Sequence, residues 1–417
     1  MHWGIFVTIK AVRCKGGEMS MNIMWITLES ILPANSGGRL GVFKRLAQLS
    51  KTENIYLFYP YDDVAELGYV DELKKYCKEV YPYDRKSNSK RAMLNLLKYP
   101  FTVASREIPE LQADIKKCLK SHNIDVINVD FPHMCVNLLS MDLNVPIILN
   151  EHNIEWKVYK TIAKSQKNIL KKIAYRIDSF RLRIYERQLL KSQDISLFTF
   201  VSDKDMEFMI KDNHLPKEKC CLIPVGADVR NVSQNDKHKG HNIIFVGKMS
   251  YGPNVEAVKW FAEKIFPHIN EKIDDCFFYI VGKEPSYEVL NLQSDNIIVT
   301  GCVDSVDEYY NIADIVVIPL LNGGGVKIKL LEAISYKSHI ISTSIGTEGT
   351  IYSDGNTITV CDEAVEFANL CIDYLLNPDN YSTRLEIAYE IFRNNYTWES
   401  IGKKYIFSMR NVLKNGK

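Results

Sequence analysis

The chain has 417 residues, 46% of them hydrophobic and 25% charged, with 52 basic against 51 acidic side chains. That length exceeds what one hydrophobic core usually serves, so two domains are expected, and the composition excludes a disordered or fibrous chain. A charge this close to neutral argues against a protein that coats nucleic acid, and any electrostatic function must be local.

The segment before Met21 holds a short apolar patch, Gly4 to Thr8, followed by Lys10 and Arg13 and by no small-residue cleavage site. A signal peptide is not expected, and translation is expected to start at Met19 or Met21. Short β-branched runs then alternate with helical stretches. In the first half the predicted strands are Asn22 to Thr27, Asn54 to Tyr59, Asp125 to Asp130, Pro146 to Asn150 and Leu197 to Val201. The fourth ends on Glu151-His152-Asn153, an unusually polar terminus at the end of a strand where side chains face a ligand crevice. A lone histidine is more often structural, but these neighbours favour a site role for His152.

Lys157 to Lys191 carries many Lys and Arg against only Asp178 and Glu186, interspersed with Ile162, Ile169, Leu170, Ile173, Ile177 and Leu182. The pattern predicts a basic amphipathic helix. Its cations are either a solvated face or a contact for anionic lipid headgroups, each basic residue adding about 1 kcal/mol near such a surface. Ile223 to Asp228 and the polar stretch Asn231 to His241 read as a linker, which sets a first domain at 21–230 and a second at 231–395.

The second half repeats the pattern, with strands at Asn242 to Val246, Cys276 to Val281, Asn296 to Thr300, Asp314 to Pro319 and His339 to Thr343. After the first of these comes Gly247-Lys248, a tight turn followed by a lysine that could neutralise a leaving diphosphate. After the fourth comes Asn322-Gly323-Gly324-Gly325-Val326-Lys327-Ile328-Lys329-Leu330-Leu331-Glu332. Glycines let the backbone approach an anion, the following helix offers its positive end, and Lys327 and Lys329 add charge. Glu332, about a turn beyond Lys329, suits ribose hydroxyls. A bare triple glycine would read as a capping turn; this context favours a diphosphate site. A helix opened by Thr397 closes the chain, and 396–417 is expected to pack back on the first domain. The ten cysteines, from Cys14 to Cys371, lack metal-ligand or disulfide spacing and point to a reducing, cytoplasmic compartment. No apolar run reaches the roughly 20 residues of a spanning helix.

As a set, Val246-Gly247-Lys248-Met249, Pro253-Asn254, Ile280-Val281-Gly282, Val299-Thr300-Gly301, the Gly323 to Glu332 loop and Gly346-Thr347-Glu348-Gly349 resemble the family-four retaining glycosyltransferases. Ser36-Gly37-Gly38, Glu151-His152-Asn153 and Ile223 to Asp228 extend the resemblance over nearly the whole chain. It implies the α/β GT-B fold, two facing Rossmann-like doubly wound domains with a central cleft, the second binding a nucleotide-sugar donor. It further implies that Lys248 and Lys329 hold the donor diphosphate, that Glu332 meets the ribose, and that Cys302 and Val303 lie by the base. Gly37 and Gly38 would approach the donor from the first domain, and Gly247, Gly324, Gly325, Val326 and Lys327 would line its phosphates. His152 would lie near donor sugar and acceptor. No metal or other cofactor is implied.

The family pattern has two glutamates in the glycine-rich segment, and with Glu332 as the second the first falls on Gly324. Glu348 is either a compensating carboxylate or the cap of the following turn. The expected function is transfer of a sugar from a nucleotide-diphosphate sugar to a glycan or lipid-linked acceptor, with retention, in surface polysaccharide synthesis. A nucleotide-sugar epimerase of the same fold and a non-catalytic glycan-binding or partner subunit are the alternatives.

Overall fold

The structure is a computed structural model and describes residues 19–88, 93–192, 194–230 and 241–415. The leader before residue 19 and the polar stretch 231–240 therefore lie outside the described residues.

Thirteen parallel strands form two sheets. The first holds β1 (Asn22–Ile26), β2 (Asn54–Tyr61), β3 (Glu79–Asp84), β4 (Val126–Asp130), β5 (Ile147–Glu151), β6 (Ile195–Phe200) and β7 (Cys220–Leu222). Its spatial order is β3-β2-β1-β4-β5-β6-β7. The second holds β8 (His241–Val246), β9 (Cys276–Val281), β10 (Ile297–Gly301), β11 (Ile315–Ile318), β12 (His339–Ser342) and β13 (Thr359–Val360), in the order β10-β9-β8-β11-β12-β13. In both sheets the chain winds outward from the centre in one direction and then returns to wind in the other. Each therefore has a switch point, between β1 and β4 and between β8 and β11, where the loops beyond the strand ends part to form a crevice. The central strands β4, β5 and β11 are buried along their whole length, which is why they read as unbroken apolar runs.

Three strands escape the sequence pattern, all of them at sheet edges. β3 contains Pro82, which cannot donate to a ladder and is tolerated because only β2 pairs with it. β7 and β13 have three and two residues, too short for periodicity to register.

The principal helices are α1 (Gly37–Leu49), α2 (Pro109–Ser121), α3 (Glu155–Ser165), α4 (Ile169–Leu190), α5 (Asp203–Asn213), α6 (Gly252–Trp260), α7 (Ile328–Ser335), α8 (Ala364–Leu376), α9 (Ser382–Asn395) and α10 (Trp398–Asn415). The basic segment 157–191 is not one helix but the hairpin α3–α4. The chain leaves α3 at Gln166 in an extended conformation, and Asn168 restarts it by accepting a hydrogen bond from Lys171 N.

Thr397 caps α10 by accepting from Ser400 N at 3.2 Å. Although it follows the second domain in sequence, α10 buries Trp398, Ile401, Tyr405 and Met409 in the core beneath β1 and β2, beside Leu46 and Leu49 of α1. The chain thus crosses between sheets twice, at 223–230 and at 396–398, and the two crossings lie side by side. Ala227 N donates to Tyr396 O at 2.9 Å, and a Cβ on Gly226 would lie 2.8 Å from Ile401 and 2.9 Å from Tyr396 O. Only glycine permits that approach.

Candidate active site

In the second domain the site grows from the two strands that flank the switch point. β8 runs into Gly247, whose N–H donates to Val281 O while Gly282 packs against its carbonyl, where a Cβ would be only 1.7 Å away. β11 runs into the loop 319–327 and then α7. Gly323 and Gly325 have φ of 114° and 74°, which disfavour any side chain; Gly324 does not share this, and a Cβ there meets nothing within 4 Å. The missing family glutamate is thus a chemical choice at an open position, not a steric one.

Behind the loop, Gly346 lies so close to β11 that a Cβ would fall 2.7 Å from Ile318 O, and Thr343 Oγ1 donates to Leu320 O at 2.6 Å. Gly349 in turn sits against Val326. The loop is held from below and leaves its upper edge, Gly324 and Gly325, exposed.

The lysines divide their work. Lys327 is buried and folds under the loop, its Nζ donating to Gly323 O at 3.0 Å and Gly325 O at 2.6 Å. It is a staple of the loop, not the mobile charge its position suggested. Lys329 reaches the other way. Its Nζ lies 3.9 Å from the centre of the Phe245 ring and donates to Asn254 Oδ1 at 2.8 Å, with no carboxylate in salt-bridge range among the described residues. Burial pulls this ammonium down to about 7, against the pull of Glu332. A bound anion would reverse that shift.

Asn254, in the first turn of α6, was not singled out in the sequence for a role of its own. Its Nδ2 donates to Lys248 O at 2.8 Å while Oδ1 receives Lys329, so one buried amide ties the β8 turn to α7. Gly247 makes room for it, since a Cβ there would stand 2.8 Å from both Asn254 Nδ2 and Lys329 Nζ. The Lys248 side chain, by contrast, points to solvent and pairs with Glu284 at 2.8 Å. The structure brings Gly247 and Lys329 together but leaves the Lys248 ammonium outside.

Glu332 lies one turn along α7. Burial raises its carboxyl, opposed by Arg230 and Lys329. Arg230 reaches it from the first crossing, 3.7 Å from Asp307 and over the Tyr336 ring. Cys302 and Val303 follow β10, the edge strand of the sheet, Cys302 exposed and Val303 half-buried.

In the first domain, β4 ends on Asp130 and His152 directly follows β5. Alternation along β5 turns Asn150 and His152 to one side and Glu151 to the other. His152 Nε2 lies 2.8 Å from Asp130 Oδ1 and 3.1 Å from Arg45 Nη2, and its ring stacks on Phe131 at 4.4 Å. Phe131 adopts a φ of 69° to take that place. Burial lowers His152, outweighing its hydrogen bond to Asp130, and Arg45 lowers it further. Burial would raise Asp130, but His152, Arg45 and the Trp25 indole N–H, which donates to Oδ2 at 2.5 Å, hold it low. We read the group as a neutral imidazole beside an anionic Asp130 whose counter-charge is Arg45. Nε2 thus faces both an acceptor, the Asp130 carboxylate, and a donor, the Arg45 guanidinium, which together fix the ring in place.

Beneath this group Asn150 donates to Asn128 Oδ1 and Asp130 Oδ1, both at 3.0 Å, and the Tyr405 hydroxyl from α10 lies against Asn128 and Asn150. The closing helix thus supports the first-domain site from below.

The two sites meet along α1. Its first turn carries Gly37, where a Cβ would be 3.4 Å from Ile328 Cδ1 at the start of α7, and Arg45 is about 12 Å further along the same helix. Gly38 faces open space. Glu348, from the segment behind the loop, crosses the cleft to Lys204 of α5 at 2.6 Å. Its backbone caps the short helical turn 344–347, its N–H donating to Ile345 O, while its carboxylate also acts electrostatically on Lys327.

Two doubly wound parallel sheets that face each other across a cleft, each offering its switch point to the other, define the GT-B fold. Residues 240–377, the second domain with its glycine-rich loop, match the family Glycosyl transferases group 1. Over 400 residues it is 26% identical to an uncharacterized 44.6 kDa protein in the cps region of Klebsiella pneumoniae, covering 93% of this chain and 98% of that one. Among solved structures it resembles a glycosyltransferase from Rickettsia africae, with a TM-score of 0.64 and 15% identity over 95% of this chain and 99% of the other. It also resembles Anabaena Alr3699/HepE in complex with UDP, with a TM-score of 0.61 and 13% identity over 94% and 100%.

Proposed function

We propose that this glycosyltransferase moves a sugar from a nucleotide-diphosphate donor to a glycan or lipid-linked acceptor, with retention at the anomeric carbon and without a metal, during assembly of a surface polysaccharide. The observation that carries the reading is Lys329, a half-buried lysine without a carboxylate partner among the described residues, set between the Gly247 turn and the start of α7. Such a site lowers its free energy by accepting an anion. The UDP bound by the Anabaena structure and the cps location of the Klebsiella relative support the donor class and the setting.

In this reading the N–H groups at the start of α7 and the Lys329 ammonium hold the diphosphate and stabilise the charge that develops as the sugar leaves. Glu332 accepts from the ribose. The departing phosphate oxygen takes the acceptor's proton, so His152, neutral and held by Asp130 and Arg45, orients donor-sugar hydroxyls and need not be a general base. The chain works on the cytoplasmic side, with its segment 157–191 in contact with the inner membrane face. No helix among the described residues is long and apolar enough to cross a membrane.

The test is a transfer assay with labelled nucleotide sugars and a membrane extract that carries lipid-linked acceptors, run with and without EDTA. Label moving into the lipid or glycan fraction only when acceptor is present, unaffected by EDTA and with the donor's anomeric configuration in the product, is the expected result. Conversion of the sugar without acceptor would instead indicate an epimerase, and inversion or EDTA sensitivity would overturn the mechanism.

A further inference from the structure

We propose that the outer face of the α3–α4 hairpin, with the neighbouring segment 93–101, is a docking surface for an anionic lipid bilayer, on which α4 lies in the plane of the headgroups. This deepens the membrane contact proposed above. It rests on three features of the hairpin.

First, α4 exposes a row of large apolar side chains that packs against nothing. Ile169, Leu170, Ile173, Ile177, Phe180 and Ile184 are between 45% and 78% exposed. At the pitch of an α-helix these six fall within an arc of about 100°, a complete apolar stripe facing away from the core. The opposite face of the same helix buries Leu182, Tyr185 and Leu189. A helix apolar on both its buried and its outward side is not the design of a solvated surface.

Second, the stripe continues onto another part of the chain. Met93, Leu94, Leu97 and Phe101 are 58% to 96% exposed. They are tied to α4 by Arg181 Nη2, which donates to Leu97 O at 3.3 Å, and by Asp178, which accepts from Phe101 N at 2.6 Å. Two segments distant in sequence thus present one apolar surface.

Third, the charge around it has a single sign. The only acids between 157 and 191 are Asp178 and Glu186, and both are buried and occupied, Asp178 by the backbone of 101–102 and Glu186 by Trp156 N. Arg183 and Arg187 are engaged by Asp212. Lys164, Lys167, Lys171, Lys172 and Arg176 have no carboxylate in salt-bridge range among the described residues, and Lys172 and Arg176 flank the stripe along one edge. A protein partner of ordinary composition would need its own acids at matched positions. A bilayer with anionic headgroups answers cations at any position and takes apolar side chains between them. The hairpin begins at Glu155, three residues after His152, so docking would bring the first-domain site to the membrane where a lipid-linked acceptor lies.

The experiment is cosedimentation of the full chain with vesicles of phosphatidylcholine and phosphatidylglycerol at equal parts, and with phosphatidylcholine alone. Binding to the anionic vesicles, released by raising salt, is expected; I173E/I177E and K172E/R176E should each weaken it roughly tenfold or more. These positions are exposed, so the thermal midpoint should stay unchanged, and nucleotide titration of the same variants reports the donor site independently. Vesicle binding that survives both variants, or no binding at low salt, would overturn the docking surface whatever the nucleotide result. So would a concentration-dependent dimer that I173E/I177E dissociates, which would make the stripe an interface between copies. Vesicle binding by a chain that transfers no sugar would sink the transferase reading and leave the docking surface standing.

Discussion

The two switch points share a topology and differ in how their charge is balanced. In the first domain Asp130, Arg45 and His152 neutralise one another, and Trp25, Asn150 and Tyr405 tie in the polar groups around them, with Asn128 Nδ2 left without a described partner. In the second, the glycine-rich loop and Lys329 present donors without a carboxylate to receive them. A closed network can orient neutral hydroxyls rigidly, whereas an open cationic one waits for an anion. Under the proposed function the sugar falls to the first site and the diphosphate to the second, because each site's unmet chemistry differs.

That division can be broken in several places. The largest effect should come from His152→Ala, which removes an orienting group from the sugar side; turnover should fall roughly 10²- to 10³-fold. Nucleotide affinity, measured by titration, should stay within about twofold, and a parallel loss of affinity would mean that the two sites are not separate.

A smaller effect is expected for Tyr405→Phe. It leaves Asn128 and Asn150 short of a partner in a buried network and should cost about 1–2 kcal/mol in chemical denaturation, with turnover reduced more than nucleotide affinity. Stability should also depend on pH in a way peculiar to the first domain. Burial raises Glu155 to about 7 and Glu186 to about 8, both beside Glu151, whose carboxyl has no described hydrogen-bond partner. These groups hold protons in the folded chain that the unfolded chain releases above about 4.5, so stability should fall as pH rises from 5 toward 8. His133, lowered to about 3 by burial, acts oppositely and penalises the folded state as pH falls below about 6.5. A thermal midpoint that rose steadily from pH 6 to pH 8.5 would contradict this account of the buried acids. The smallest effect should be that of Gly324→Ala, within about 0.5 kcal/mol, since the position is open and not left-handed.

Much of this was legible in the sequence wherever a residue's role is local. Ten of the thirteen strands are apolar runs because both faces of a parallel sheet are covered, and the glycine-rich loop announces itself because left-handed backbone at Gly323 and Gly325 needs glycine. What escaped was non-local. Arg45 lies mid-helix in α1 with nothing nearby in sequence to mark it, and its meaning comes from β4 and β5, which the topology sets beside it. Asn254 looked like part of a turn until α7 delivered Lys329 to its amide. Lys327 and Lys329 are indistinguishable in sequence, and only the helix phase sends one under the loop and the other to the cleft. The Lys204–Glu348 pair spans two domains, which no local pattern reports.

The central claim is that Lys329 is the vacant positive charge at a diphosphate site. Calorimetric titration with uridine and guanosine diphosphates, on the native chain and Lys329→Ala, from pH 6 to pH 9, tests it most directly. Because burial holds this ammonium at about 7 and a bound anion restores its proton, binding should weaken as pH rises above about 7 and should take up protons there. Lys329→Ala should bind about 10- to 100-fold more weakly, with the pH dependence gone. Affinity flat across that range and unchanged in Lys329→Ala would contradict the account and move the diphosphate, if one binds at all, to another part of the cleft.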